Sequence, residues 1–148
     1  MRIQKILFPT DLSPEGERAV PAAVDLVRQL RATAVILHVV ENVGASPVGA
    51  AAKQARMLPG TKEELERVRG LLEKRKGTLP DDVKVELDVV VAPSVPHAIA
   101  DYARSKGCDL IALSTHGRQG FRRMIMGSVA EAVLRQSGVP VLVFPRQE

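Results

Sequence analysis

Small residues and arginines follow an apolar run near the end of the chain. The segment from Ser114 to Ser128 reads STHGRQGFRRMIMGS. Glycine and serine allow backbone N–H groups to approach a ligand closely, and guanidinium groups pair well with phosphate. Gly127 and Ser128 also stand at the predicted start of a helix, where unpaired N–H groups attract anions. The segment therefore predicts a phosphate-binding loop, although neither G-x-x-x-x-G-K-[ST] nor, after the first strand, G-x-G-x-x-G is present.

Few other residues near this loop could do chemistry. Asp11 and His116 are the candidates for a general base, and neither has an obvious orienting partner. Each also has a structural interpretation, because aspartate can cap a turn and a lone histidine is commonly a structural hydrogen-bonding residue. Ser128 with Glu131 can likewise be a simple capping box. No catalytic triad, carboxylate pair or zinc-ligand spacing is present, so the sequence favours binding over catalysis.

Hydrophobic periodicity predicts strands that alternate with helices. Apolar or alternating runs predict strands over residues 3–8, 34–40, 83–91, 110–113 and 139–144. Capping residues, prolines and glycines predict the helices, which run from Ser13 to about Leu30, from Thr61 to about Gly77, from Pro96 to Gly107 and onward from Ser128. Such alternation is typical of an α/β protein with a parallel sheet and helices on both faces.

The distribution of apolar residues predicts the strand order. The first, second and fourth strands are apolar on both faces, which is typical of central strands, whereas the third alternates and belongs at an edge. An open, Rossmann-like, doubly wound sheet of five strands in the order 3-2-1-4-5 satisfies this pattern. Ligands of such sheets bind at the carboxyl ends of the strands beside the reversal. Residues 9–11 and 114–117 are delivered to that place.

The segment after the fourth strand resembles the nucleotide-binding motif of the universal stress protein family, G-x2-G-x9-G-[ST]. Gly117 matches the second glycine, and Gly127 with Ser128 matches the closing pair after nine spacers. Ser114 replaces the first glycine, which strains the backbone if that position needs a positive φ and is harmless if it needs only a small residue. The blocks KILFPTDLS, ILHVV and GVPVLVF also resemble the family, so the resemblance covers essentially the whole length.

The resemblance implies an ATP site. In ATP-binding members, residues after the first strand and a valine of the second border the adenosine, and the glycine-rich segment surrounds ribose and phosphates. The implied nucleotide-binding residues are Pro9, Thr10, Asp11, Val39, Ser114, His116, Gly117, Arg118, Gly120, Gly127, Ser128, Val129 and Ala130. Mg²⁺ or Mn²⁺ would come with the phosphates. We expect a regulatory, stress-response protein; the alternatives are an enzyme that hydrolyses ATP slowly at this site and an interaction module without nucleotide.

Length and composition limit the class of protein. The 148 residues suit one domain over residues 1–148, and a formal charge of +4, with acids and bases mixed, does not indicate a nucleic-acid partner. No segment has the length and apolar character of a membrane span or a signal peptide. The single cysteine, Cys108, fits a reducing compartment. We therefore expect a cytoplasmic protein that binds neither membranes nor nucleic acid.

The fifth strand predicts an oligomer. The predicted order places it at an edge, yet its residues are apolar on both faces, and natural proteins usually cover such an edge. The simplest cover is a second copy that pairs antiparallel through residues 140–144 in a two-fold homodimer. Universal stress proteins commonly dimerise through this strand, so the resemblance implies the same. In the alternative, the preceding helix or the C-terminal tail shields the edge of a monomer.

Overall fold

Parallel strands form one five-stranded sheet in this computed structural model, which describes residues 1–42, 61–115 and 126–145. The strands are β1 Lys5–Pro9, β2 Thr33–Glu41, β3 Val85–Ala92, β4 Leu110–Ser114 and β5 Val141–Phe144. Their order across the sheet is β3-β2-β1-β4-β5, and every neighbouring pair is parallel. The predicted fold class and strand order are confirmed.

Helices cover both faces of the sheet. They are α1 Pro14–Glu17, α2 Val20–Leu30, α3 Lys62–Gly77, α4 Val95–Ser105 and α5 Ser128–Gln136. Successive residues of a strand point to opposite faces, so the core is divided by the sheet, with α2 and α3 on one side and α4 and α5 on the other. The pairs that share a core cluster are Val27 with Ile6, Leu72 with Ile36, Ile99 with Leu7 and Val133 with Ile111.

Burial separates the central strands from the edge strand β3 as the sequence pattern predicts. Leu7 of β1, Leu37 of β2 and Ile111 of β4 have no exposed surface. In β3, Val89 is buried, whereas Glu86 is exposed. Strands that are covered on both faces need apolar residues throughout, while an edge strand tolerates charges.

The helix predicted from Ser13 onward is divided in two. Ser13 is the predicted N-cap, and its hydroxyl accepts a hydrogen bond of 3.4 Å from the N–H of Gly16. However, α1 ends at Glu17, and α2 begins at Val20 with Pro21 in its first turn. Proline has no N–H to donate, and its ring clashes with the carbonyl four residues earlier. The prediction of one uninterrupted helix is therefore wrong, and Pro21 is the signal in the sequence for the break.

The ends of α3 and α4 agree with their capping residues. Thr61 is the N-cap of α3, where its hydroxyl accepts a hydrogen bond of 3.2 Å from the N–H of Glu64. After α4, Gly107 has a φ of 64°, in the left-handed region that glycine adopts without strain. These caps keep the two helices short enough to return the chain to the amino end of the next strand.

Candidate functional site

Strands β1 and β4 are neighbours at the reversal of strand order, and both end at the same edge of the sheet. Leu7 pairs with Ile111 in the parallel register. The chain that leaves Pro9 and the chain that leaves Ser114 therefore emerge side by side. This crevice is where ligands of doubly wound sheets bind.

The loop between β1 and α1 is held by its own side chains. The hydroxyl of Thr10 accepts a hydrogen bond of 3.0 Å from the N–H of Leu12, and Asp11 Oδ1 accepts one of 2.9 Å from the N–H of Ser13. Leu12 has a φ of 63°, a left-handed conformation that is costly for a residue other than glycine. Asp11 thus has the turn-capping role that its sequence position allows. Strained residues of this kind occur frequently beside ligand sites.

Strand β2 supports the same loop from the side. The N–H of Thr10 donates to the carbonyl oxygen of Leu37 at 2.8 Å. His38 Nδ1 lies 2.8 Å from the carbonyl oxygen of Thr10, and since a carbonyl only accepts, Nδ1 carries the proton and donates. His38 is therefore a structural residue with a hydrogen-bond partner. The next residue, Val39, is buried in the cluster that contains Ala130 of α5.

An arginine of α3 completes the support of this loop. Arg75 Nη1 donates to the hydroxyl of Thr10 at 2.7 Å, and Nη2 donates to the carboxylate of Glu17 at 2.8 Å. Its side chain is only 14 % exposed. Sequence reasoning missed Arg75, because 65 residues separate it from Thr10 and no local motif connects the two.

The other side of the crevice is built from β4, β5 and the start of α5. The N–H of Thr115 donates to the carbonyl oxygen of Phe144 at 3.1 Å, and the N–H of Gly127 donates to the carbonyl oxygen of Thr115 at 3.2 Å. A Cβ atom at Gly127 would lie 3.1 Å from that same oxygen. Gly127 has φ −57° and ψ 151°, which any residue can adopt. Glycine is thus favoured here by the close approach of the Thr115 carbonyl rather than by backbone conformation.

Helix α5 has its N-cap one residue earlier than the capping box predicts. Gly127 is the N-cap, and its carbonyl accepts a hydrogen bond of 3.0 Å from the N–H of Glu131. Ser128 is the first helical residue. The carboxylate of Glu131 instead accepts a hydrogen bond of 2.8 Å from Arg135. The predicted start of the helix at Ser128 is confirmed, whereas the capping-box interpretation is not, because Gly127 is the N-cap.

The first turn of α5 presents both exposed and buried residues. Ser128 and Val129 are exposed, whereas Ala130 is buried against the sheet. The backbone N–H groups of a first turn have no partner inside the helix, and they carry the positive end of the helix dipole. With a glycine as its N-cap, this turn can accept an anionic group close to its main chain.

Part of the implied site lies outside the described residues. His116, Gly117, Arg118 and Gly120 belong to residues 116–125, which are not among the described residues. The described portion comprises Pro9, Thr10, Asp11, Val39, Ser114, Gly127, Ser128, Val129 and Ala130. These residues come from four separate parts of the chain, and the strand order brings them to one edge of the sheet.

Tyr102 and Cys108 have perturbed pKa values and lie away from the crevice. Burial, followed by a hydrogen bond to Asp88 at 2.8 Å, raises the pKa of the Tyr102 hydroxyl. Burial also raises the pKa of the Cys108 thiol, in agreement with an unreactive cysteine. Both residues belong to the core beneath α4, and neither gives the crevice a reactive group.

Residues 1–42, 61–115 and 126–145 contain neither a cluster of metal ligands nor a membrane-spanning helix. This part of the chain contains no group of three or more His, Cys, Asp or Glu residues placed to hold a metal ion. Within it, no helix has the length and apolar character to cross a membrane.

Comparison with known proteins identifies the family. A model described as the universal stress protein family matches residues 2–145. Universal stress protein MJ0577 of Methanocaldococcus jannaschii is 30 % identical over 164 residues, which cover 97 % of this chain and 96 % of that protein. The solved structure of MJ0577 superposes with a TM-score of 0.73, at 26 % identity, over 100 % of this chain and 99 % of that one.

More distant solved structures share the fold. A universal stress protein in complex with cAMP has a TM-score of 0.60 at 20 % identity and covers 99 % of this chain and 100 % of its own. The universal stress protein of Archaeoglobus fulgidus in complex with dAMP has a TM-score of 0.64 at 19 % identity, covering 97 % of this chain and 98 % of its own. Since the family model matches nearly the full length, this chain belongs to the universal stress protein family.

Proposed function

We propose that this chain binds an adenine nucleotide, ATP with Mg²⁺ or Mn²⁺ on its phosphates, in the crevice where β1 and β4 end. The observation that carries the proposal is the contact between Gly127 and Thr115. This contact favours glycine as the N-cap, so α5 starts without a side chain at that position. The start of α5 lies at the topological switch point of the sheet. An exposed main chain at the start of a helix is suited to phosphate.

The described residues fit the two ends of a nucleotide. Pro9, Asp11 and Val39 lie at the ends of β1 and β2, on the side proposed for adenosine, whereas Gly127 and Ser128 lie on the side proposed for the phosphates. The cation would be carried by the phosphates, which supply oxygen ligands of the kind that Mg²⁺ prefers. The complexes of related proteins with cAMP and dAMP support an adenine nucleotide as the ligand class.

The proposed role is regulatory, with the nucleotide as a ligand that biases conformation or assembly. We propose that the protein acts in the cytoplasm as a homodimer formed through β5. The backbone of Phe144 faces β4, because its carbonyl accepts the N–H of Thr115. Backbone groups alternate in direction along a strand. The N–H and C=O groups of Val141 and Val143 therefore point to the side of β5 away from β4, where a second β5 can pair with them.

Two measurements test nucleotide binding. Mass spectrometry of the small molecules released from the denatured, purified protein identifies a nucleotide that is carried through purification. Calorimetric titration of the nucleotide-free protein with ATP and Mg²⁺, and separately with AMP, dAMP and cAMP, then gives the preference. We expect saturable binding of at least one adenine nucleotide and none of inorganic phosphate alone at the same concentration. Absence of binding by all four nucleotides would exclude the proposed function.

A further inference from the structure

Arg75 joins three elements that the sequence keeps apart. It lies in the last turn of α3, and its guanidinium reaches both the β1–α1 loop, at Thr10, and α1, at Glu17. The guanidinium is planar and rigid, so one group can hold two acceptors at a fixed separation. At 14 % exposure, the side chain of Arg75 is shielded from solvent much more than that of Glu17, at 59 %.

The Thr10 hydroxyl that Arg75 contacts already stabilises the strained part of the loop. It accepts the N–H of Leu12 at 3.0 Å and Arg75 Nη1 at 2.7 Å, so both of its acceptor positions are in use. Leu12, at a φ of 63°, is the residue in the left-handed conformation. The hydrogen bond from Arg75 fixes the Thr10 rotamer, and the Thr10 hydroxyl in turn fixes Leu12.

The same helix also holds the side chain of Leu12. Leu12 packs against the core cluster that contains Leu72 of α3. Leu72 and Arg75 are three residues apart and thus lie on the same face of the helix. The apolar contact and the hydrogen bond therefore act together, and they hold the loop in a conformation that its own residues would disfavour.

We propose that Arg75 is a positioning residue for nucleotide binding, an inference that rests on the proposed function. It keeps Thr10 and Leu12 in place, and so fixes the conformation of the β1–α1 loop that borders the crevice between β1 and β4. Arg75 need not touch the ligand. Without it, the loop spends less time in the binding conformation, and the apparent affinity falls with the fraction of molecules that are competent to bind.

The test compares Arg75→Ala with a matched control. Arg28→Ala removes another arginine that bonds a carboxylate through two nitrogens, since Arg28 contacts Asp82 through Nε and Nη2, both at 2.8 Å. Arg28 lies near the end of α2, just before β2 begins. It is therefore at the amino ends of the strands, whereas the crevice is at their carboxyl ends. We expect Arg75→Ala to weaken binding of the preferred adenine nucleotide about tenfold in calorimetry, and Arg28→Ala to leave it unchanged.

A conservative variant and a ligand-free measurement separate positioning from a loss of folding. Arg75→Lys keeps the charge but cannot hold two acceptors in a fork, so its affinity should lie between those of the wild type and Arg75→Ala. Amide hydrogen exchange at Leu12 and Ser13, followed by NMR without nucleotide, should become faster in Arg75→Ala and stay unchanged in Arg28→Ala. Circular dichroism confirms that each variant is folded.

The outcomes distinguish this inference from the proposed function. Tight wild-type binding with an unchanged affinity in folded Arg75→Ala or Arg75→Lys would overturn the role of Arg75 and leave the nucleotide site intact. A wild-type protein that binds no adenine nucleotide would overturn both. A selective loss in the Arg75 variants, together with faster exchange at Leu12 and Ser13, would establish the positioning role.

Discussion

The carbonyl oxygen of Thr115 accepts the N–H of Gly127 at 3.2 Å, and it lies 3.1 Å from the place where a Cβ of residue 127 would be. The end of β4 and the start of α5 are therefore in direct main-chain contact. This contact disfavours a side chain at residue 127, on the side proposed for the phosphates, because even a Cβ would be tightly placed against the Thr115 oxygen.

Gly127→Val should abolish nucleotide binding in a protein that remains folded. Its side chain would meet the Thr115 carbonyl and occupy the space next to the first turn of α5. Gly70→Ala is the control, because a Cβ at Gly70 in α3 has no neighbour within 4 Å. Calorimetric titration with ATP and Mg²⁺ compares the two variants, and an affinity of folded Gly127→Val equal to that of the wild type would contradict the proposed site.

Hydrolysis of ATP should be slow or absent. The sequence offers no base with an orienting partner, and Asp11 Oδ1 is already engaged with the N–H of Ser13 at 2.9 Å. Asp11→Asn is a gentle probe, since an asparagine oxygen can accept the same bond and keep the turn. Release of phosphate faster than about one turnover per second, lost in Asp11→Asn while binding persists, would instead indicate an active site.

Val143→Lys should convert a dimer into a monomer. Val143 directs its main chain to the side of β5 away from β4, and an added lysine would place like charges near each other across a two-fold contact. Val91→Lys, on β3 at the opposite edge and 41 % exposed in the wild type, should leave the dimer intact. Sedimentation velocity at micromolar concentration gives the answer, and a monomeric wild type would rule out the proposed dimer.

Leu72→Ala should destabilise the protein far more than Leu71→Ala. Leu72 is 1 % exposed and packs against β2 and β3, whereas its neighbour Leu71 is 37 % exposed. The expected loss in the free energy of unfolding is about 2–5 kcal/mol for Leu72→Ala and below about 1 kcal/mol for Leu71→Ala. Urea denaturation followed by circular dichroism measures both. Similar losses in the two variants would mean that α3 packs with a different face.

The buried thiol of Cys108 should make the protein less stable in alkaline solution. Its pKa is raised above the ordinary value of 9.0, chiefly by burial, so the unfolded chain loses this proton first. The contribution of the thiol is therefore complete below pH 9.0 and is lost as the pH rises towards the folded-state pKa. Between about pH 8 and about pH 10, the free energy of unfolding should fall more steeply for the wild type than for Cys108→Ala. Equal slopes would show that the thiol is not perturbed.

Much of the fold follows from local patterns in the sequence. Apolar residues on both faces identify β1, β2 and β4 as central strands, and the alternation of β3 identifies an edge strand. The reason is that a strand covered on both faces would bury any charged side chain away from solvent. Capping residues such as Ser13 and Thr61 mark where helices begin, since their hydroxyls satisfy nearby N–H groups. These signals act over a few residues. The strand order predicted from them is enough to place Pro9 and Ser114 side by side.

Tertiary structure alone decided how the ends of these elements meet. The sequence pattern of Ser128 and Glu131 predicts an N-cap at Ser128, but the N-cap is Gly127, whose N–H donates to Thr115. Arg75 gives no sign in the sequence of its contact with Thr10, which is 65 positions away. The rotation of α3 on the sheet determines which of its many charged residues faces the loop. That rotation is set by burial of apolar side chains against strands distant in the sequence, and such packing is a property of the folded chain as a whole.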